Sequence, residues 1–275
     1  MPIYAPGETW KPGAFASLLA IGDSWFWYPG NNLLRALAEH PRLREPYRNI
    51  QLLGFNGARI CEYVDRNNAR GKYARAFKRE LDPQNSQYYV AVLISGGGND
   101  ALDYGLALKG DCRGLTRAQE CIDPDGLDGL LKDVSGALGL LIHDVLWEFH
   151  RQQRAVDLFI HGYDYPVPDG RGFDALVFKV AGPWLAPALN GAQVAGDPLL
   201  RAAICKQLID RLNETFQHFA RPADGVHYVD CRNALRSDAQ YQDDWANELH
   251  PTADGFDRLV EQRWIPLLTR LGYAR

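Results

Sequence analysis

A chain of 275 residues with 46% hydrophobic and 23% charged residues has ordinary globular composition, which excludes disordered, collagen-like and coiled-coil readings. Thirty Lys plus Arg against 34 Asp plus Glu leave a formal charge of −4 with no basic block, so nucleic acid and anionic membrane are disfavoured and a small or neutral partner is expected. No apolar run reaches the ~18 residues of a membrane span, and no basic-then-apolar leader opens the chain, so a soluble protein without a visible Sec-type signal, cytoplasmic by default, is expected.

The first strand is read over 15–21 (FASLLAI), a continuous apolar run of the kind buried on both faces of a parallel sheet. It ends in Gly22-Asp23-Ser24-Trp25. Asn31 or Asn32 then caps a helix carrying Leu33, Leu34, Leu37 and Ala38, which stops near Pro41. A second strand, 49–54 (NIQLLG), runs into Gly54-Phe55-Asn56-Gly57, and a third, 89–95 (YVAVLIS), into Gly96-Gly97-Gly98-Asn99-Asp100. Residues 101–130 exceed the ~2–6 residues of an ordinary connection and are expected to form an insertion. Within it Cys112 and Cys121 flank an eight-residue loop; they are placed to pair in an oxidising compartment but are expected as free thiols. The fourth strand, 156–161 (VDLFIH), precedes Gly162-Tyr163-Asp164-Tyr165-Pro166 and a second insertion, 163–198, rich in Pro, Gly and aromatics. Leu200, Ile204, Leu208, Leu212, Phe216 and Phe219 recur at helical spacing over 199–219. A fifth strand at 226–230 (VHYVD) and a helix at 254–271, with Leu259, Trp264, Leu267 and Leu268 turned inward, close the chain.

Alternating strands and helices predict a single α/β domain over 1–275: a flavodoxin-like three-layer sandwich whose five-stranded parallel sheet is flanked by helices, with the two insertions over the active rim. In such sheets ligands bind outside the carboxyl ends of the strands. Four Gly-rich loops therefore converge on one rim. Ser24 is the candidate nucleophile there, and it needs an imidazole within hydrogen-bond reach and donors for a developing oxyanion. The side-chain amide of Asn99 and the backbone N–H of Gly57 are candidate donors. His250, held in an extended turn before Pro251, is the candidate base, with His161 at the end of the fourth strand as a competitor. No Cys, His or carboxylate cluster has metal-ligand spacing and no phosphate loop is complete, so neither metal nor cofactor is expected.

With these blocks in order, the chain resembles the SGNH (GDSL-type) hydrolases. Gly22-Asp23-Ser24 is similar to the family's first block, Gly54-Phe55-Asn56-Gly57 to the second, Gly97-Gly98-Asn99-Asp100 to the third, and Asn247 to His250 to the last. The resemblance implies Ser24 as nucleophile, His250 as general base and then acid, and an oxyanion hole from Ser24 N–H, Gly57 N–H and the Asn99 side chain. Asp23 and Asp100 are implied to hold these loops. A small-molecule ester, with an acyl, aryl or acetylated-sugar part, is the implied substrate. The α/β-hydrolase elbow Gly-x-Ser-x-Gly is absent from the sequence.

Two departures stand out. Trp25 replaces the usual Leu, and Asn247 occupies the position three before the histidine where the family has Asp. In a trypsin-type triad that Asp-to-Asn exchange costs about 10⁴ in turnover. Three readings follow: Asn247 orients the imidazole as a neutral acceptor, Asp244 or Glu248 supplies the carboxylate, or the chain is a noncatalytic lipid- or carbohydrate-binding protein. An acyltransferase or thioesterase with the same site is a further alternative. The sequence also holds 7 Trp, 13 Tyr and 11 Phe. Among them Trp25, Trp27, Tyr163, Tyr165, Trp184 and Trp245 are candidate substrate contacts, with Phe26 and Tyr28 in the same post-Ser24 run; Trp184 and Trp245 are expected to be exposed.

Overall fold

The structure, a computed structural model, describes residues 3–28, 31–68, 70–100, 104–175 and 178–275. Parts of both expected insertions, 101–103 and 176–177, lie outside the described residues.

The strands are β1 (Ile3–Tyr4), β2 (Leu18–Gly22), β3 (Ile50–Gly54), β4 (Ala91–Ser95) and β5 (Asp157–His161), then a hairpin of β6 (Phe173–Ala175) and β7 (Phe178–Ala181), and finally β8 (Val226–Val229). All but the hairpin form one parallel sheet in the order β1-β3-β2-β4-β5-β8. The expected sheet of five strands is thus corrected to six. The extra strand is a two-residue edge in which Ile3 pairs with Ile50, too short to leave a periodic signal. Without it the order is that of a flavodoxin-like sheet, whose switch point lies between β2 and β4. All five residues of β2, β3 and β4 are buried, which is why these strands read as continuous apolar runs.

Helices flank the sheet, among them α1 (Ser24–Trp27), α2 (Leu33–Glu39), α3 (Ile60–Tyr63), α4 (Pro124–Arg151), α5 (Leu185–Gly191), α6 (Pro198–Gln217) and α7 (Ala253–Leu259). Asn32 caps α2 by accepting from the Arg35 N–H. α7 continues through a π-turn, Val260–Trp264, into Ile265–Arg270. Pro266 lacks an N–H to donate backwards, and the wide turn just before it absorbs that loss.

The 28-residue α4 is not evident from the sequence, and its first turns fall inside the stretch read as insertion. Gly126, Gly129, Gly136 and Gly139 weaken its helical signal. Gly126 answers a close approach, because a Cβ there would sit 1.9 Å from the Leu106 carbonyl oxygen. Cys112 and Cys121 are buried free thiols, with the Cys112 Sγ 3.7 Å from the Cys121 carbonyl oxygen. Among the described residues no helix is long and apolar enough to cross a membrane.

Candidate active site

The loops that leave the carboxyl ends of β2, β3, β4, β5 and β8 contribute to one cavity of about 220 Å³. Ser24 opens α1 immediately after β2. Asp23 caps that helix, its Oδ1 accepting from the Trp25 N–H (3.0 Å) and from the Ser95 hydroxyl (2.7 Å), its Oδ2 from the Tyr163 hydroxyl (2.5 Å). One buried carboxylate therefore ties the ends of β2, β4 and β5 together behind Ser24. Asp100 does similar work between the β3 and β4 loops, accepting from the Ile60 and Cys61 N–H groups at the start of α3. Burial pushes its carboxyl above the ordinary range.

The His250 Nε2 lies 2.7 Å from the Ser24 Oγ, across 226 residues of sequence. On the other side of the ring, Nδ1 lies 3.0 Å from Asn247 Oδ1. The same oxygen accepts the backbone N–H groups of Leu249 and His250, both at 2.9 Å, so the amide is turned oxygen-first towards the imidazole. Nδ1 then carries the proton and Nε2 is free to accept one from Ser24. Burial pulls His250 down to about 3, so the ring is neutral throughout the ordinary pH range.

That depression couples stability to pH. The unfolded ring titrates near 6.5 and the folded one near 3, so between these values only the unfolded chain binds the proton. Stability is full above about pH 6.5 and falls by about 1.4 kcal/mol per pH unit as pH drops through that window. Urea unfolding at pH 7.5 and 5 should show this loss, and His250→Gln should remove the His250 share. His161 adds to it in the same direction, since burial lowers it too.

Neither carboxylate near Asn247 reaches the imidazole. Asp244 accepts the Arg236 N–H and pairs with Arg258 at 3.1 Å. Glu248 faces the second insertion, where its two oxygens accept the N–H groups of Gly170, Trp184, Leu185 and Ala186. It thereby caps α5 and pins Trp184 beside His250, with ring centroids 5.6 Å apart. This anchoring escapes sequence reasoning because the partners lie 62 to 78 residues away. Glu248→Ala strands four backbone donors and should cost about 3 kcal/mol or more in urea unfolding, with Glu248→Gln losing less. A loss below about 1 kcal/mol would contradict this role.

His161 is fully buried, with Nδ1 donating to the Gly162 carbonyl (2.7 Å) and its ring stacked on Trp25, and makes no bond to Ser24. Gly57, at φ +74°, and Asn99 line the same cavity as the Ser–His pair. One hydrogen of the Asn99 amide goes to the Ala58 carbonyl (3.0 Å), which fixes the plane of the group. Trp25, Tyr163, Trp184 and Trp245 form aromatic walls, whereas Trp27 and Tyr165 lie outside the cavity. Trp27 is 38% exposed, and Tyr165 bonds Asp210 and Lys206. The expectation of exposed Trp184 and Trp245 is corrected: Trp184 is half-buried, and Trp245 is 1% exposed, because the strand-like pairing of Trp245 with Pro251 folds the histidine turn over it. A wider hollow of about 1130 Å³ opens at the opposite end of the strands, beside Val90, Val156 and Gly225, away from Ser24. Among the described residues no three His, Cys, Asp or Glu side chains converge on a metal-sized site.

A flavodoxin-like sheet with Gly-Asp-Ser at its switch point is the architecture of the SGNH class of ester hydrolases. The model of the GDSL-like lipase/acylhydrolase family matches residues 20–258, and the chain belongs to that family. Among solved structures, a lipase, Lip_vut3, from a goat rumen metagenome superposes with a TM-score of 0.53 at 13% identity, covering 94% of this chain and 99% of that one. A GDSL-like lipase described as putative, from Bacteroides ovatus, gives 0.50 at 11% identity, covering 95% of this chain and 55% of that one. At these identities the likeness is one of fold. No curated protein sequence matches significantly.

Proposed function

We propose that the chain hydrolyses a small carboxylic ester through an acyl-enzyme on Ser24, with His250 as general base and then acid. The observation that carries this reading is the 2.7 Å contact between Ser24 Oγ and His250 Nε2 at the floor of the cavity. Oγ attacks the ester carbonyl carbon as its proton passes to Nε2, and the carbonyl oxygen becomes an oxyanion. The Ser24 and Gly57 N–H groups and the free hydrogen of the Asn99 amide stabilise that charge. The C–O bond to the alcohol then breaks, the alcohol takes the proton from Nε2, and water repeats the sequence to release the acid. Asn247 holds the tautomer through its carbonyl oxygen and contributes no charge.

The cavity favours a small group. An apolar cavity of about 150 Å³ accommodates benzene. The ~220 Å³ beside Ser24, walled by Trp25, Trp184 and Trp245, therefore suits a short acyl chain, an aryl group or an acetylated sugar face. p-Nitrophenyl esters of two to sixteen carbons, assayed beside acetylated sugars, test this. Turnover is expected to peak at or below about six acyl carbons; a maximum at twelve or more would refute the size argument. Absence of Ser24 labelling by a fluorophosphonate probe in the folded protein would sink the acyl-enzyme reading itself.

A further inference from the structure

Tyr28 follows α1 directly, and three of its groups are tied to the reacting pair. Its backbone N–H donates to the Ser24 carbonyl. Its hydroxyl accepts from Asn247 Nδ2 at 3.1 Å. Its ring lies face to face with the His250 imidazole, centroids 4.3 Å apart and planes 17° from parallel. Phe173 packs against the Tyr28 ring at 71° and 5.2 Å, and Trp184 meets the imidazole at 69°, so the stack is held from both sides by the second insertion.

The Asn247 amide is already turned by two backbone N–H groups, so Tyr28 is not needed to choose its orientation. What Asn247 lacks is charge. Each time Ser24 gives up its proton, an imidazolium forms in a site where His250 is 5% exposed. Among the described residues no carboxylate forms an ion pair with it. A cation within ~6 Å of the centroid of an aromatic face is attracted by the ring quadrupole, and more strongly where water is excluded. We propose that Tyr28 is a positioning residue whose ring face stabilises the His250 imidazolium, replacing part of the stabilisation that a carboxylate at position 247 would provide. The hydroxyl tether to Asn247 keeps the ring over the imidazole. The phenol itself stays neutral, since burial pushes Tyr28 up to about 12.

The proposal rests on the Ser24–His250 reading, and its test keeps the two separable. Tyr28→Phe retains the ring and is expected to lose about threefold or less in kcat. Phenylalanine analogues with one, two and three ring fluorines at position 28 weaken the quadrupole with little change of shape. Across the series kcat should fall stepwise by about 30-fold in all, equivalent to about 2 kcal/mol at 1.36 kcal/mol per decade. KM should stay within about twofold. In an Asn247→Asp background, where the carboxylate carries the charge, the slope should drop by at least half. A flat series, a loss confined to KM, or equal slopes in the two backgrounds overturns the Tyr28 assignment. If instead Ser24→Ala keeps full turnover, the reading of the site fails, whatever the fluorine series shows. Because the series preserves ring size, folding defects of a smaller residue at position 28 do not enter.

Discussion

Ser24→Ala should lower ester turnover by about 10⁴-fold or more and abolish fluorophosphonate labelling, while leaving the fold intact. The magnitude follows from the way a nucleophile and its base act as one unit: with Oγ gone, only substrate binding and the oxyanion donors remain. Ser24 sits at the first position of α1, whose cap is made by Asp23, so alanine removes no capping bond. The lost contact is the one to His250 Nε2, and the buried imidazole retains its bond to Asn247. Thermal unfolding of the variant should thus stay within a few degrees of the parent. Residual turnover above about one per cent, with clean folding, would point to a nucleophile other than Ser24.

Asn247→Asp should raise turnover at pH 7–8 by at least about 10-fold, an unusual direction for a substitution beside the proposed Ser24–His250 pair. The carboxylate keeps all three bonds that Asn247 Oδ1 now accepts, from Leu249 N–H, His250 N–H and Nδ1–H. The Tyr28 hydroxyl, now an acceptor, has only to rotate and donate to the second oxygen. The new charge favours the imidazolium, so His250 rises from about 3 towards the ordinary histidine range and becomes a stronger base. The acid limb of kcat/KM moves to higher pH with it, so the gain should shrink as pH falls towards 4. Asn247→Ala removes the acceptor altogether and should cost about 100-fold. Equal rates for Asn, Asp and Ala at position 247 would show that His250 needs no orienting neighbour.

Parts of this site are legible in the chain because their signals are local. β2, β3, β4, β5 and β8 announce themselves as short apolar runs, each buried in the sheet, and a Gly-rich turn marks the carboxyl end of the first four. The helix 199–219 differs from α6 by only one or two residues at either end, since its apolar stripe meets the core along its whole length. α4 escapes notice because four glycines dilute its stripe, and β1 because two residues carry no period. Glu248 illustrates another kind of gap. Two residues before His250 in sequence, it is a natural candidate for the missing carboxylate. It instead faces the second insertion, where the N–H groups of Gly170, Trp184, Leu185 and Ala186 outcompete one imidazole.

The sequence by itself determined the fold class, the order of the four blocks and the substitution of Asn for Asp at position 247, because these are matters of residue type and spacing along the chain. Tertiary structure alone decided which side chains meet: that His250 rather than His161 contacts Ser24, that Trp245 is an inner wall, and that Tyr28 stacks on the imidazole. The physical reason is separation. Tyr28 and Asn247 lie 219 residues apart, and only the parallel sheet, by bringing every strand's carboxyl end to one rim, makes them neighbours.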